Sequence, residues 1–212
     1  MRTETIIAGH WAENCYVVTN DDAEALIIDP GGSADRILRH VEANGVRVLA
    51  ILNTHGHYDH VGAVEAVRQA CSAPFYLHSR DAKLLRQANF YLKLFHAERP
   101  VPLPQIDHHL DELITPLKIG AFTVGVLPVP GHTAGSVSFV IEDHLFSGDT
   151  LLKGKIGRTD LPGGNPGRLT ESLRALCRLA PEIQVCPGHG DRSTMVNELK
   201  SNQELAGVAR CE

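Results

Sequence analysis

The segment Thr54-His55-Gly56-His57-Tyr58-Asp59-His60 follows directly after an apolar run at residues 46–53. The run predicts a strand that is buried on both faces. Because side chains alternate along an extended backbone, His55 and His57 can point in the same direction. Asp59 and His60 lie at the predicted turn into the next helix and can face the same space from another side. Since zinc binds both imidazole and carboxylate groups, these four side chains predict a metal site.

Further ligands are expected, because these four residues cannot all bind one zinc ion and leave a coordination position for water. Three more candidates are His132, Asp149 and His189. Each follows an apolar run and stands beside glycine, in the motifs Pro130-Gly131-His132-Thr133, Ser147-Gly148-Asp149-Thr150 and Pro187-Gly188-His189-Gly190. Glycine lets a loop turn tightly and lets other groups approach it closely. The three motifs therefore complete a candidate ligand set for a second ion as well as the first.

The overall composition excludes several classes of protein. The chain carries 20 basic and 25 acidic residues, a net charge of -5, and no basic stripe, so nucleic acid is not an expected partner. No apolar run approaches the roughly 20 residues of a membrane span, and the amino terminus lacks the pattern of a secretory signal. Five irregularly spaced cysteines fit a reducing compartment. We therefore expect a cytoplasmic protein, a monomer or small homo-oligomer, whose residues 1–212 form one domain without a membrane contact.

Strand and helix signals alternate along both halves of the chain, which predicts an α/β layered fold. Ser33 is predicted to cap the first helix and Gly45 to end it. Residues 79–99 are predicted to be helical, with an apolar stripe that we interpret as core packing; a lid or a subunit contact is the alternative. The last strand is predicted at residues 183–186, and one polar helix follows it.

The order HxHxDH, Gly-His, Gly-Asp and Gly-His resembles the metallo-β-lactamase superfamily over nearly the whole chain. Within it, the stretch SGDTLLKGKIGRTDLPGGN at residues 147–165 is similar to the short, single-domain members of the glyoxalase II branch, the hydroxyacylglutathione hydrolase-like proteins. The resemblance implies an α/β fold of four layers, an αββα sandwich, with a dinuclear metal centre at one edge. It implies that one metal ion is held by His55, His57 and His132, that the other is held by Asp59, His60 and His189, and that Asp149 bridges both.

The resemblance implies metal-dependent hydrolysis of small thioesters, of S-acylglutathione or a related thiol carrier. The cofactors would be two divalent ions, with zinc as the first choice and iron or manganese as alternatives. They would share a hydroxide, because water bound to such ions loses its proton near neutrality. Asp59 would be the catalytic residue that orients this hydroxide. A thiolate leaves without a dedicated acid, because an ordinary thiol has a pKa of about 8.5.

The substrate contacts are less defined than the ligands. Glyoxalase II itself continues into a helical domain that supplies part of the glutathione site, whereas residues 190–212 leave room for one helix. Lys153, Lys155 and Arg158 lie just beyond Asp149 and are candidates for contacting an anionic substrate. The alternative interpretation of these three is a solvated basic loop.

Other functions fit parts of the pattern. A persulfide dioxygenase of the same superfamily would use one iron on two histidines and a carboxylate, and such a site could be supplied from His55, His57, His132 and Asp149. A non-catalytic metal-binding module would need a filled coordination sphere. The complete second set favours two ions with room for water. A secreted β-lactamase is disfavoured because the sequence shows no signal peptide. A nuclease is disfavoured because the sequence shows no basic surface.

Overall fold

The computed structural model describes residues 1–96 and 100–209. Their strands form two six-stranded sheets and one two-stranded hairpin. The first sheet has the order β1-β2-β3-β4-β5-β6, with β1 (Arg2–Ala8), β2 (Glu13–Thr19), β3 (Glu24–Ile28), β4 (Arg47–Leu52), β5 (Phe75–Leu77) and β6 (His108–His109). The second has the order β14-β13-β10-β9-β8-β7, with β7 (Leu117–Ile119), β8 (Phe122–Pro128), β9 (Val137–Ile141), β10 (His144–Gly148), β13 (Gln184–Pro187) and β14 (Ser193–Thr194). The hairpin pairs β11 (Leu151–Leu152) with β12 (Lys155–Ile156).

The helices cover the outer faces of the two sheets. They are α1 (Ala34–Ala43), α2 (Tyr58–Val61), α3 (Val64–Cys71), α4 (Ala82–His96), α5 (Pro166–Leu176), α6 (Met195–Ser201) and α7 (Gln203–Ala209), with short 3₁₀ helices at Ser79–Asp81 and Leu110–Glu112. Ile37 of α1 and Val64 of α3 pack on the first sheet. Leu169 and Leu173 of α5 pack on the second.

A third apolar cluster fills the space between the sheets. Tyr16 and Leu26 come from the first sheet and meet Phe139 and Phe146 of the second. Strand β4 is covered on one side by helices and on the other by the second sheet, so its side chains from Ala50 onward are fully buried. The four-layer αββα sandwich is thereby confirmed, and so is the prediction of a strand buried on both faces before the histidine motif.

The local predictions around the first helix have different outcomes. Gly45 follows α1 with a φ of 60°, the left-handed conformation expected at a helix end. Ser33 precedes α1, but the prediction that its side chain caps the helix is wrong. Its backbone is left-handed, with φ 51° and ψ 45°, and it makes no side-chain cap bond. Its Oγ instead accepts a hydrogen bond from the Gly9 N–H at 3.3 Å.

The segment predicted as helical over residues 79–99 begins with the 3₁₀ helix and continues as α4 to His96. Residues 97–99 lie outside the described part of the chain. The interpretation as core packing is confirmed for Leu84, Leu85, Ala88 and Leu92, which are buried. Tyr91 on the same helix stacks on Tyr58, with ring centroids 6.5 Å apart, so α4 also borders the histidine motif.

The carboxy-terminal region holds more structure than predicted. The strand expected at residues 183–186 is β13, but it is not the last one, because β14 pairs with it antiparallel. Two short helices, α6 and α7, follow in place of the single predicted helix. The difference arises because residues 193–194 are too short a strand to leave a sequence pattern. In the described residues, no helix has the length and apolar character needed to cross a membrane.

Candidate metal centre

The candidate ligands lie on four loops at one edge of the sandwich. These loops follow the carboxyl ends of β4, β8, β10 and β13. Two backbone hydrogen bonds join the sheets at this edge, from Val137 N–H to the Thr54 carbonyl at 2.9 Å and from Asn14 N–H to the Gly188 carbonyl at 2.7 Å. The loops carrying the ligands are thus fixed relative to one another by the ends of the strands.

Two positions next to candidate ligands, Gly148 and Gly188, require glycine because neighbouring side chains approach their backbone closely. A Cβ added to Gly188 would lie 2.2 Å from Asp149 Oδ1 and 2.8 Å from His60 Cε1. A Cβ added to Gly148, whose φ is +51°, would lie 2.4 Å from Thr54 Oγ1. Gly188 therefore makes room for two candidate ligands, Asp149 and His60, and Gly148 makes room for Thr54.

The first group contains three buried imidazoles, His55, His57 and His132. Their ligand atoms lie within 4.8 Å of one another. His132 Nε2 and His57 Nδ1 are 2.9 Å apart. The three residues follow strands of two different sheets, and the fold brings their ring nitrogens close together.

The second group contains Asp59, His60 and His189, again with ligand atoms within 4.8 Å. His189 Nε2 lies 3.3 Å from Asp59 Oδ2 and 3.4 Å from His60 Nε2. His60 Nε2 lies 3.9 Å from Asp59 Oδ2. His60 is fully buried, whereas Asp59 and His189 are partly open to the adjoining cavity.

The carboxylate of Asp149 lies between the two groups. Its Oδ2 is 3.7 Å from His132 Nε2 of the first group and 3.6 Å from His189 Nε2 of the second. Its Oδ1 is 3.6 Å from His60 Nε2. A side chain in this position can reach ions on both sides.

The second nitrogen of several rings is held by a protein group, which directs the first nitrogen into the site. His132 Nδ1–H donates to the Arg158 carbonyl at 2.8 Å, and His189 Nδ1–H donates to the Trp11 carbonyl at 3.2 Å. His60 Nδ1 lies 3.2 Å from Asp29 Oδ2. The Nε2 atoms of these rings therefore face the site where a cation would lie.

His55 is oriented through a relay. The Thr54 hydroxyl donates to Asp29 Oδ2 at 2.7 Å and lies 3.0 Å from His55 Nδ1. Because the Thr54 proton is already used, its oxygen accepts from the Nδ1–H of His55. The Nε2 atom of His55 then carries the lone pair that faces the centre.

The donor set fits divalent cations. His55 Nε2 and Asp149 Oδ1 are buried and have no hydrogen-bond partner among the described residues. Buried polar atoms without a partner are costly, and a cation would satisfy both. Two ligand atoms about 2.1 Å from a tetrahedral zinc lie about 3.4 Å apart, which is close to the separations within each group. Imidazole nitrogens with carboxylate oxygens suit zinc, iron and manganese alike.

The charges of the centre respond to burial and to one another. Burial lowers the pKa of His57 to about 3, so this ring is neutral and free to ligate. For His60 burial also acts to lower the pKa, but Asp149, Asp59 and Asp29 outweigh it and raise the pKa to about 10. In the metal-free protein, a proton on His60 thus balances the carboxylates that would otherwise hold a cation.

Burial opposes ionisation of Asp59, but His60 and His189 outweigh it and lower the pKa of that carboxyl. Asp59 is therefore ionised at neutral pH. For Glu13 burial outweighs the neighbouring histidines and raises the pKa to about 7. Both Glu13 oxygens are buried without a partner among the described residues.

A cavity of about 470 Å³ opens beside the two groups. Lys155 and Arg158 line it, together with an apolar wall formed by Trp11, Tyr58, Leu152, Ile156 and Leu161. Lys153 is not among the lining residues, and its Nζ lies 2.9 Å from Asp191 Oδ2. Arg158 also pairs with Asp160, through two contacts of 2.7 Å.

Sequence reasoning missed the residues that support the ligands. Asp29 stands at the end of the predicted strand before Pro30-Gly31-Gly32 and gave only a turn signal. Its carboxylate also accepts from the Thr54 N–H at 2.7 Å. Trp11 and Glu13 stand in no recognisable motif, and nothing local shows that they reach the centre.

Comparison with known proteins agrees with this geometry. Residues 8–189 match the family model described as the metallo-beta-lactamase superfamily. The chain is 34% identical to hydroxyacylglutathione hydrolase GloC of Haemophilus influenzae, over 97% of this chain and 98% of that protein. It is similar to the crystal structure of the BLEG-1 B3 metallo-beta-lactamase, with a TM-score of 0.88 and 39% identity over 95% of this chain and 98% of that one. It is also similar to TTHA1623 in a di-iron-bound form, with a TM-score of 0.85 and 36% identity over 94% of this chain and 98% of that one.

Proposed function

The chain belongs to the metallo-β-lactamase superfamily, and from that premise we propose that it is a dinuclear metal-dependent hydrolase of small thioesters. The observation that carries the proposal is the pair of ligand groups on either side of Asp149, next to a cavity with both apolar and cationic walls. The 34% identity to a hydroxyacylglutathione hydrolase supports an acylated thiol carrier as the substrate class.

Seven side chains would hold the two ions. His55, His57 and His132 would hold the first, Asp59, His60 and His189 the second, and Asp149 would bridge them. When bound, two such divalent ions supply a water of lowered pKa and polarise an acyl carbonyl.

The chain's own groups would orient the reactants. Asp59 is ionised and borders the cavity, so its carboxylate can accept a hydrogen bond from a water molecule and align it for attack. The apolar wall beside Trp11 would receive the acyl group. Arg158 and Lys155 would face the carboxylates of the carrier. Lys153 is not proposed as a substrate contact, since it pairs with Asp191 and does not line the cavity. A thiolate then departs without a proton donor.

The test measures metal content and turnover on the same preparation. Protein loaded with two equivalents of zinc, iron or manganese is assayed with S-lactoylglutathione and with an uncharged acyl thioester, and the released thiol is titrated. We expect hydrolysis of both, with a high KM because few side chains contact the carrier. Protein that holds two ions but turns over no thioester would refute the substrate assignment.

β-Lactam hydrolysis is a second candidate, favoured by the 39% identity to a structure described as a B3 metallo-β-lactamase. The same ligand groups would serve a lactam carbonyl. A chromogenic cephalosporin in the same assay distinguishes the two functions. We expect its kcat/KM to be at least about tenfold lower than that of the thioester, a difference of about 1.4 kcal/mol in activation free energy.

The single-iron dioxygenase alternative makes a different demand on the centre. It needs only one ion, whereas the fold assembles the second group as closely as the first. Oxygen uptake with a persulfide substrate, by protein holding one iron per chain, would support that alternative against the hydrolase.

A further inference from the structure

One buried carboxylate outside the candidate ligand set joins the two loops that carry the first group. Asp81 ends the 3₁₀ helix Ser79–Asp81 and has an exposed fraction of 0%. Its Oδ2 accepts hydrogen bonds from the Gly56 N–H at 2.9 Å and from the Thr133 hydroxyl at 2.7 Å. Its Oδ1 accepts from the Gly135 N–H at 2.7 Å. A single side chain thus receives three donors from two loops.

The donors stand next to every member of the first group. Gly56 separates His55 from His57, and Thr133 directly follows His132. The first two histidines follow a strand of one sheet, and the third follows a strand of the other. The carboxylate therefore connects the two sheets at the point where the three imidazoles must converge.

The loops approach Asp81 closely enough to require glycine. A Cβ added to Gly135 would lie 2.7 Å from Asp81 Cγ, and one added to Gly56 would lie 2.9 Å from the Asp81 carbonyl oxygen. Two of the three donors, the Gly56 and Gly135 N–H groups, belong to the backbone, so the carboxylate holds the backbone of both loops. A shift of this residue would be transmitted directly to the adjacent ligands.

We propose that Asp81 is a positioning residue for the first metal ion, fixing the separation between His57 and His132, whose ring nitrogens lie 2.9 Å apart. The sheets remain joined without it, through the Val137–Thr54 backbone bond and the apolar cluster between the sheets. The inference rests on the dinuclear centre of the proposed function and is independent of the substrate.

The test compares metal affinities of the metal-free protein and its variants. In Asp81→Asn the amide can replace the Oδ2 acceptor but presents N–H to the Gly135 N–H. Zinc is titrated against a chromophoric chelator to obtain both dissociation constants. We expect one constant to rise by about 10- to 100-fold, the usual effect of losing an outer partner of a ligand, and the other to change by less than about threefold.

The matched control is Glu198→Gln. Glu198 is also a buried carboxylate with three donors, from Gly154 N–H at 2.8 Å, Asn202 Nδ2 at 2.9 Å and the Ser193 hydroxyl at 2.5 Å. None of these donors adjoins a candidate ligand. This variant loses a comparable buried network, so it should lower the Tm of the metal-free protein without changing either zinc constant.

Double variants identify which ion is affected. Asp81→Asn should still weaken zinc binding in a His189→Ala background, where the first group is intact. It should have no further effect on the remaining ion in a His57→Ala background. Unchanged constants in Asp81→Asn, equal weakening of both ions, or the same loss in Glu198→Gln would each overturn the proposal.

A milder variant covers the case in which Asp81→Asn does not fold. Thr133→Val removes one of the three donors at nearly constant volume, and we expect the same constant to rise about fivefold, the value of one hydrogen bond. No change in that constant would overturn the proposal. If the unaltered protein binds fewer than two ions, the dinuclear centre itself fails, which is a separate result.

Discussion

Asp149→Ala is the most direct test of the candidate centre, because this carboxylate lies within 3.7 Å of ring nitrogens in both groups. Its removal should weaken the binding of both ions at once. His57→Ala and His189→Ala each alter one group and should each weaken mainly one ion.

The expected magnitude follows from the number of ligands. A four-ligand zinc site binds with about 10–16 kcal/mol, so one ligand contributes about 3 kcal/mol. Each ion would have four protein ligands, of which Asp149 is the shared one. The loss of about 3 kcal/mol at each position corresponds to a rise of about 100-fold in both dissociation constants.

The assay is metal content after dialysis against a chelator, followed by stepwise zinc titration in competition with a chromophore. Asp143→Ala is the matched control, because Asp143 precedes β10 where Asp149 follows it, and its side chain is exposed. The control should retain both constants. Two tightly bound ions in Asp149→Ala, or the loss of one ion alone, would refute the bridging position.

The remaining predictions concern substrate charge and stability. Arg158→Gln should raise KM about fivefold for anionic thioesters, the effect of one partly screened ion pair, and leave KM for uncharged thioesters unchanged. Steady-state kinetics with both substrate classes checks this. Equal effects on both classes would indicate that Arg158 is a solvated residue that does not contact the substrate. Asp111→Asn should lower the free energy of unfolding of the metal-free protein by about 1 kcal/mol at neutral pH, measured by urea unfolding. Partial burial acts to raise the pKa of Asp111, but hydrogen bonds from Ser79 outweigh it and lower the pKa to about 2. The stabilisation by the ionised carboxylate is therefore present above the ordinary pKa of 3.8 and is lost as the pH falls toward 2. A difference in unfolding free energy between the two proteins that stays constant down to pH 2 would contradict this role of Asp111.

The candidate ligands could be predicted because their signals are local. The four residues of the histidine motif lie within six positions, directly after a buried strand, and His132, Asp149 and His189 each follow a strand with glycine beside them. Strands that end at one edge of a layered fold deliver their loops to the same place. Residue type, spacing and strand ends together were therefore enough to indicate a metal site.

Residue type alone did not correctly predict the helix cap at Ser33 or the short strand β14. Ser33 has the residue type of a helix cap, yet its left-handed backbone points its hydroxyl at Gly9. Strand β14 has two residues and forms only because β13 lies beside it. In both cases a tertiary neighbour, and not the propensity of the segment, determines the conformation.

The sequence by itself determined which side chains are candidate metal ligands and that a buried strand precedes the first of them. Only the tertiary structure decided which nitrogen of each ring faces the centre, which of the basic residues border the cavity, and which carboxylates support the ligands. Asp29 is 25 positions from Thr54, and Asp81 is 52 positions from Thr133. A hydrogen bond between residues so far apart leaves no periodic or local pattern, because it exists only after two sheets have packed and brought their loops together.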